Sequence, residues 1–431
     1  MNRFAITITL LTCCLLPALA HDVVDWRGPG RSGVYDETGL LTTWPDGGPK
    51  QLWTARVGKA MSSMSVTDGK VYITGMEGSD GFVYCIDTKT GQQTWKTKIG
   101  PSWESRSYPG PRSTPTIAHG LVYVVSAHGK VVAMDDEKGE VRWTVDMPKI
   151  FGGQPIQWGI TESPLVVGDR LIVTPGGTRA SIVALDAKRG TVEWKAQPLR
   201  GKGGAQKSAY CSPALIEHNN RKIIVTHLSD SAVAVDAKTG KGLWTFPFRN
   251  KHAVHSVTPV YHKGMVILAG GYRHGAVGLK LSADGSKYRK VWENKDLATH
   301  YGGLVVVDGH VYGTNDRSLV CVNAETGKTV WSERKISKGS VIYADGRLIY
   351  HTERGEVGLA KVSPKGCEIV SSFRKRRNGT RAHPVIADGL LYVRQGTELA
   401  CYDLRGKDYA TKSRISGKTY DDDRPSEASE R

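Results

Sequence analysis

Short runs of β-branched and aromatic residues alternate with polar turns along the chain, and the same turn-and-strand unit recurs. Each unit begins with a turn, often Asp-Gly, and continues as a strand of alternating apolar positions. Eight units occur: DGKVYIT (68–74), HGLVYVV (119–125), GDRLIVT (168–174), NRKIIVT (220–226), KGMVILA (263–269), DGHVYGT (308–314), DGRLIYH (345–351) and DGLLYVR (388–394). The pattern predicts strands joined by tight hairpins.

A second motif, Asp-x3-Gly-x3-Trp, follows each unit at a regular distance. The copies are DTKTGQQTW (87–95), DDEKGEVRW (135–143), DAKRGTVEW (186–194), DAKTGKGLW (236–244) and NAETGKTVW (323–331), the last with Asn in place of Asp. Two looser copies end at Trp292 and Phe373, and successive terminal aromatic residues lie 39 to 51 residues apart. A fixed period of this length indicates a repeat architecture, with the aromatic residue packed between repeats.

The eighth repeat has no terminal tryptophan, but an unassigned one, Trp53, lies near the N-terminus. We therefore predict an all-β fold, an eight-bladed β-propeller of four-stranded antiparallel blades spanning residues 49–410. The N-terminal strand carrying Trp53 is expected to complete the last blade and close the ring.

The cysteines fit a structural interpretation. In the aligned repeats, Cys85, Cys321 and Cys401 occupy the position that holds alanine, such as Ala133, in other blades. A position that accepts only Ala or Cys is a tight, buried one, where a free thiol behaves as a small apolar group. Five cysteines remain after residue 20, an odd number that does not indicate a disulfide framework.

The repeat resembles the pyrroloquinoline-quinone-like (PQQ-like) propeller family, whose A-x-D-x-x-T-G-x-x-x-W motif is present as AVDAKTGKGLW (234–244). The likeness covers roughly residues 50 to 405 and is closest in kind to propellers of the BamB type. The likeness is specific for the fold but not for the function, because the family includes quinoprotein alcohol dehydrogenases as well as BamB-type outer-membrane assembly factors.

The two ends of the chain are predicted to lie outside the propeller. Residues 1–20 have a basic start, a short apolar run and a small-residue ending, which predicts a secretory signal peptide cleaved after Ala20 and a periplasmic or extracellular protein. Lipidation at Cys13 remains an alternative. We expect residues 21–48 to form an irregular strap anchored by Trp26 and Trp44, and residues 411–431 a disordered polar tail. No later apolar run is long enough for a transmembrane helix.

Charge distinguishes one face of the predicted disc. The formal net charge of +17 becomes +16 once Arg3 leaves with the first twenty residues. The eight connections between blades, which all reach the same face, hold 22 Lys and Arg against 6 Asp and Glu. An excess of this kind favours an anionic partner. The connections before blades two to five are the longest, so we expect a pocket over those blades.

The candidate ligand-binding residues lie in these connections. They combine cations with aromatic rings and polar groups: Trp103, Arg106, Tyr108, Arg112, Trp158, Glu162, Lys207, Tyr210, His255, His300, Tyr301 and Arg381. The histidines with Glu162 could instead form a metal site, but no spacing supports one. The family likeness implies that Glu162 could hold calcium beside the quinone, yet the rest of the quinoprotein apparatus is poorly represented, so this cofactor is not favoured.

The leading functional prediction is an exported, non-catalytic, monomeric scaffold that binds an anionic macromolecule, an acidic glycan or protein, in the cell envelope. The first alternative is a PQQ-dependent alcohol or sugar dehydrogenase, and the second is a structural subunit of an envelope assembly complex. Nucleic acid is not expected as a partner, because an exported protein does not meet it.

Overall fold

Eight four-stranded antiparallel sheets form a β-propeller in a computed structural model that describes residues 22–105, 108–153, 156–375 and 381–409. The signal-peptide prediction (1–20) and the polar-tail prediction (411–431) concern residues outside these ranges. The first strands of blades one and eight, two and three, three and four, five and six, and six and seven contact one another, as expected where the first strand of each blade lies nearest the central axis. The predicted fold class is confirmed.

The strands follow one another in sequence within each blade. Blades one to four consist of Met64–Thr67, Lys70–Glu77, Asp80–Asp87 and Gln93–Pro101; Thr116–Ala118, Leu121–Val125, Lys130–Asp135 and Val141–Asp146; Leu165–Val167, Arg170–Val173, Val183–Asp186 and Val192–Lys195; Ala214–His218, Arg221–His227, Ser231–Asp236 and Gly242–Pro247. Blades five to eight consist of Val260–His262, Met265–Gly270, Gly275–Leu281 and Tyr288–Asn294; Val305–Val307, His310–Thr314, Leu319–Asn323 and Thr329–Glu333; Gly339–Ala344, Arg347–Thr352, Glu356–Ser363 and Gly366–Arg374; Val385–Ala387, Leu390–Gln395, Glu398–Asp403 and Gln51–Arg56.

Few described residues lie in other elements. A two-residue strand, Val34–Tyr35, pairs in parallel with blade seven, and a small hairpin joins Arg200–Gly201 to Gly204–Ala205. The helical segments are the 3-10 turn Pro29–Arg31 and the short α-helix Met147–Phe151. Neither is long and apolar enough to cross a bilayer, and this holds for every helix in the described ranges.

The ring closes as the sequence predicts. The strand Gln51–Arg56 pairs antiparallel with Glu398–Asp403, and Trp53 lies opposite Cys401. The same pairing joins Trp95 to Cys85 in blade one. The N-terminal strand is therefore the outer strand of blade eight.

Both repeated motifs shape turns on one face, hereafter the turn face. The Asp-Gly turns place both residues at positive φ, as at Asp68 (49°) and Gly69 (70°), the conformation of a type I′ hairpin. In the second motif the Asp87 carboxylate accepts hydrogen bonds from the amides of Lys89 and Thr90. Asn323 makes the equivalent bonds with its side-chain oxygen, which explains why Asn replaces Asp there.

The repeated tryptophans pack between blades. Five of the rings lie against the motif glycine of the next blade, those of Trp53, Trp95, Trp143, Trp194 and Trp292. A Cβ on Gly91, for example, would be 2.7 Å from the Trp53 ring. In the other blades the tryptophan directly follows a β-bulge in the outer strand. In blade seven Ser371 holds that position, opposite Leu359, so Phe373 lies two residues beyond it. Its ring nevertheless packs against Gly48, and its centroid is 5.7 Å from that of Trp44.

The segment 23–34 crosses the turn-face end of the central channel and contacts the inner part of every blade. Val23 and Val24 pair with blades one and two, and Trp26 donates through Nε1 to Thr258 of blade five at 2.9 Å. Arg31 donates to the carbonyls of Ser163, Pro164 and Pro213 in blades three and four. We call this segment the plug.

Arg27 of the plug is bound to the other three blades. Its guanidinium donates to the carbonyls of Leu304 and Val341 and to Nδ1 of His383, 2.9 Å away. Because arginine only donates, His383 must accept at Nδ1 and carry its proton on Nε2, which donates to the carbonyl of Tyr301 at 2.9 Å. Gly303 (φ +70°) makes room for the guanidinium, since a Cβ there would overlap it.

Candidate binding site at the mouth of the central channel

A cavity of about 370 Å³ lies on the axis above the plug, on the face that carries the connections between blades. Trp26 forms its floor. Seven of the predicted candidates line it: Tyr108, Arg112, Trp158, Tyr210, His300, Tyr301 and Arg381. These residues come from the connections that precede blades two, three, four, six and eight, so the cavity is central rather than confined to blades two to five.

Arg112 is held at the wall by backbone oxygens. It donates to the carbonyl of Trp158 and, at 2.5 Å, to the carbonyl of Tyr108. Burial, and next the positive charge of Arg381, lower the pKa of Arg112 to about 10. The described residues place no carboxylate within ion-pair distance of it. The arginine is therefore a cation whose charge is not balanced locally.

Arg381 lies across the cavity mouth on two aromatic rings. Its guanidinium carbon is 4.1 Å from the centroid of the Tyr108 ring and 5.3 Å from that of Tyr301. Its Nε is 3.4 Å from a carboxylate oxygen of Glu353. The stacking fixes the plane of the guanidinium, as cation–π contacts do, and leaves donors toward the cavity.

His300 is a neutral group in this wall. Burial, followed by the charges of Lys338 and Arg381, lowers its pKa to about 3. Its ring centroid is 4.5 Å from that of Tyr272, which also lines the cavity. The imidazole is therefore neutral at physiological pH and adds no charge to the cavity wall.

The remaining candidates do not line the cavity. Trp103 packs on His128 at 5.5 Å and lines a separate small cavity. Lys207 is exposed on the connection face. His255 is buried, 5.3 Å from His227 and stacked on it. Arg106 lies outside the described residues.

Glu162 points away from the cavity into the body of the blade. Both carboxylate oxygens accept from the amide of Thr174, at 2.9 and 3.1 Å, and burial raises its pKa to about 7. Its neighbours Thr161 and Ser163 line the cavity instead, since adjacent residues of an extended segment face opposite ways.

This donor set does not fit calcium with a quinone. Calcium takes six to eight oxygen ligands, usually including carboxylates, and no Asp or Glu lines the cavity. Nowhere in the described ranges do three His, Cys, Asp or Glu side chains form a group that could hold a metal ion. Arginines and aromatic rings suit an organic anion, but a calcium-assisted cofactor has no ligands here.

Several lining residues were not among the ligand-binding residues predicted from the sequence. They include Trp26, Tyr272 and the hydroxyls of Thr161, Ser163, Ser212 and Ser256. A signal for them does exist: Ser or Thr precedes the proline that begins the inner strand in four successive blades, at Thr114, Ser163, Ser212 and Thr258. The amide of Thr114 donates to the hydroxyl of Ser163 at 3.0 Å, and that of Ser163 to Ser212 at 2.9 Å.

Comparison with known proteins extends the likeness to most of the chain. The family described as "Outer membrane protein assembly factor BamB" matches residues 45–208, 79–333 and 289–422. The protein of that name from Burkholderia pseudomallei is 26% identical over 246 residues, which are 48% of this chain and 61% of that relative. The match thus spans less than two thirds of the relative's length.

Two solved structures share the fold. BamB from Moraxella catarrhalis has a TM-score of 0.61 at 15% identity, covering 82% of this chain and 99% of that one. Quinohemoprotein alcohol dehydrogenase from Comamonas testosteroni has a TM-score of 0.68 at 14% identity, covering 90% of this chain and 81% of that one. The chain is therefore similar in fold to BamB and to a quinohemoprotein alcohol dehydrogenase alike.

Proposed function

We propose, given that the chain belongs to the family of outer membrane protein assembly factor BamB, that it is a non-catalytic scaffold of the cell envelope that binds an anionic macromolecule through its connection face. One observation supports this most strongly. Arg112 and Arg381 face a cavity whose lining contains no carboxylate. Arg381 has one neighbouring carboxylate, Glu353 at 3.4 Å, whereas Arg112 has none among the described residues, so the pair keeps a net positive charge that an anionic partner would offset.

Charge on the rest of the connection face supports the same proposal. Arg200, Lys202 and Lys207 lie exposed on and beside the hairpin that precedes blade four. None of the three is within ion-pair distance of a carboxylate in the described part of the chain. Exposed cations on one side of a protein attract polyanions over about one Debye length, ~8 Å at physiological ionic strength.

Export to the envelope is part of the proposal. The predicted cleavage after Ala20 would release the propeller into the periplasm or outside the cell, and the family name refers to the outer membrane. A structural place in an assembly complex is compatible with the same location. In that case the anionic partner would be an acidic surface of another protein.

A quinone-dependent oxidoreductase is the second candidate, and the likeness to quinohemoprotein alcohol dehydrogenase favours it. The cavity holds arginines that would suit a carboxylated quinone. It lacks the carboxylates that calcium needs, as described above. Mixing the protein with the quinone and calcium, then recording the absorption of the repurified protein and its turnover of an alcohol, distinguishes this candidate from the scaffold.

The scaffold is tested by binding to polygalacturonate, a linear acidic polysaccharide, at low and at high salt. We expect binding that weakens steeply with salt and weakens further in Arg200→Gln/Lys202→Gln/Lys207→Gln. The matched control is Lys89→Gln/Lys238→Gln/Lys328→Gln, which removes three exposed charges from the turn face. Equal losses in the two variants, or no binding by the wild type, would contradict the proposal.

A further inference from the structure

The plug closes the axial cavity on the side of the turn face. The plug separates it from a second cavity on the turn face, which is lined by Gly30, Arg31 and Ser32 together with blades four to six. The two linings share no residue. Trp26 is fixed as the floor by its hydrogen bond to Thr258. A polymer cannot thread through this channel, so only the end of a chain, or a free small molecule, can fill the cavity.

The hydroxyls at the bottom of the cavity have unused hydrogen-bonding capacity. Ser163 and Ser212 are buried, with 1% and 4% of their surface exposed. Each hydroxyl oxygen accepts a backbone amide, and neither donates its own proton to any described group. Thr161 and Ser256 use their protons on the carbonyls of Tyr210 and His300, which leaves their oxygens able to accept. The floor therefore offers both donors and acceptors to a ligand.

The walls add charge and apolar surface to this polar floor. Arg112 and Arg381 supply guanidinium groups for a carboxylate. The rings of Trp158 and Tyr108 meet edge to face, with centroids 5.6 Å apart, and Trp26 lies beneath them. The negative face of an aromatic ring attracts C–H groups that carry partial positive charge. One ligand therefore has to combine a carboxylate, several hydroxyls and an apolar C–H face.

A sugar acid has this combination. We propose that the axial cavity binds, without a metal ion, the terminal hexuronate residue of an acidic glycan. The carboxylate lies between Arg112 and Arg381, and the ring hydroxyls reach the serine and threonine side chains of the floor. The proposal rests on the proposed function and narrows it, because the connection face attracts the polyanion and the cavity selects its end.

End recognition makes a prediction opposite to that of general charge attraction. At equal mass, short oligogalacturonides carry more chain ends than polygalacturonate, so they should displace a fluorescent trigalacturonide from the protein more effectively. Attraction of a polyanion to a basic face favours the longer chain instead. Better competition by the long polymer would overturn the end-group proposal and leave the scaffold proposal intact.

The role of the cavity is tested with trigalacturonide as ligand and calorimetry as readout. Arg381→Gln should weaken binding about tenfold or more, the loss expected for a charge-assisted hydrogen bond. Arg354→Gln removes an exposed charge next to Glu353 in sequence, at a position that does not line the cavity, and it should leave the affinity unchanged. Thermal unfolding of both variants shows whether the fold is retained. Equal affinities of the two variants would overturn the proposal.

Chemical class is tested with the wild type alone. Trigalacturonide should bind with EDTA present, and its methyl ester and neutral trigalactose should bind at least about tenfold more weakly, because they lack the carboxylate. A requirement for calcium would overturn the metal-free site. Tighter binding of benzene-1,3,5-tricarboxylate than of trigalacturonide would overturn the sugar assignment. If neither trigalacturonide nor polygalacturonate binds, both this inference and the scaffold proposal fail.

Discussion

The backbone amide of Ser163 donates to the hydroxyl of Ser212 across 2.9 Å and so joins the start of blade three to that of blade four. The same contact recurs between neighbouring blades, since the amide of Ser63 donates to Thr114 at 3.1 Å and that of Thr114 to Ser163 at 3.0 Å. These groups are buried. A chain of hydrogen bonds thus runs around the channel through blades one to four, and two of its hydroxyls, those of Ser163 and Ser212, also form part of the cavity floor.

Removing one hydroxyl of this chain should destabilise the ring. In Ser212→Ala the amide of Ser163 stays buried without a partner, which costs ~1–3 kcal/mol. Urea unfolding measures the loss. Thr191→Ala, at an exposed position, should change stability by less than ~0.5 kcal/mol. If the two variants were equally stable, the chain of hydrogen bonds would have no energetic role.

Trp53 should matter to stability as much as a tryptophan within a blade. It is 8% exposed and donates through Nε1 to the carbonyl of Thr88 at 2.7 Å, whereas Trp194 is 9% exposed and its Nε1 has no partner among the described residues. Trp53→Ala should therefore cost at least as much as Trp194→Ala, ~3–5 kcal/mol. Leu52→Ala, at an exposed neighbour, serves as control in the same melting experiment. If Trp53→Ala had the same melting temperature as the wild type, closure by the N-terminal strand would be refuted.

Thiol labelling should single out Cys367 in the native protein. Cys85, Cys321 and Cys401 are fully buried and Cys211 nearly so, while Cys367 is partly exposed. Burial raises the pKa of Cys321 and of Cys367 to about 11 and that of Cys401 to about 12, so all three thiols are mostly protonated and access to the reagent decides which one reacts first. Mass spectrometry after brief treatment with iodoacetamide should find label at Cys367 first and at the others only in denaturant. Rapid native labelling of Cys85 would contradict this.

Stability should fall in acid because several histidines are buried. Burial lowers the pKa of His227 to about 3 and that of His351 to about 4. The unfolded chain takes up protons near pH 6.5 and the native protein does not, so the stability present above that pH is lost as pH falls toward 4. Each histidine contributes up to ~1.4 kcal/mol per pH unit. Urea midpoints between pH 7 and 4 measure the slope, which His227→Leu should reduce.

The buried carboxyl of Glu162 should change stability with pH in the direction opposite to the buried histidines. Its pKa is raised to about 7 by burial, so the native state holds its proton more tightly than the unfolded chain, where the usual value is near 4.5. Its contribution is fully present below pH 4.5 and is lost as pH rises through 7. Glu162→Gln should make the protein more stable than the wild type at pH 8 and steepen the loss in acid. An unchanged pH profile would show that the carboxyl is not buried.

The turns and the blade count could be predicted because they depend on local rules repeated eight times. Asp87 and Asn323 each accept hydrogen bonds through a side-chain oxygen in equivalent turns of two blades. Trp53 could be assigned to blade eight because the eighth repeat lacks a terminal tryptophan. The plug could not be predicted in this way. Arg27 and Arg31 bind backbone carbonyls of distant residues, such as Leu304 and Pro213, and backbone acceptors leave no trace in the sequence.

The candidate site was also predictable in part: the connections that form it could be identified, but the direction of each side chain could not. Loop membership correctly grouped residues such as Arg112 and Arg381, because connections between blades must reach one face. It could not tell which side chain of an extended segment faces the axis, so Glu162 was chosen where Thr161 and Ser163 line the cavity. His255 likewise packs against His227 in the interior. One position along the segment separates a cavity residue from a core residue.

Closure by Gln51–Arg56 has a consequence for the order in which the chain can fold. Within the described part of the chain that strand pairs only with Glu398–Asp403, so its hydrogen bonds join residues about 350 positions apart. Contacts between such distant residues form late, since the entropy of closing so long a loop is lost before any contact compensates for it. Blades one to seven can form while the chain emerges, but the first strand must wait for the last. Until then Gln51–Arg56 is an unpaired strand, and the segment Glu398–Asp403 of a second copy could pair with it instead.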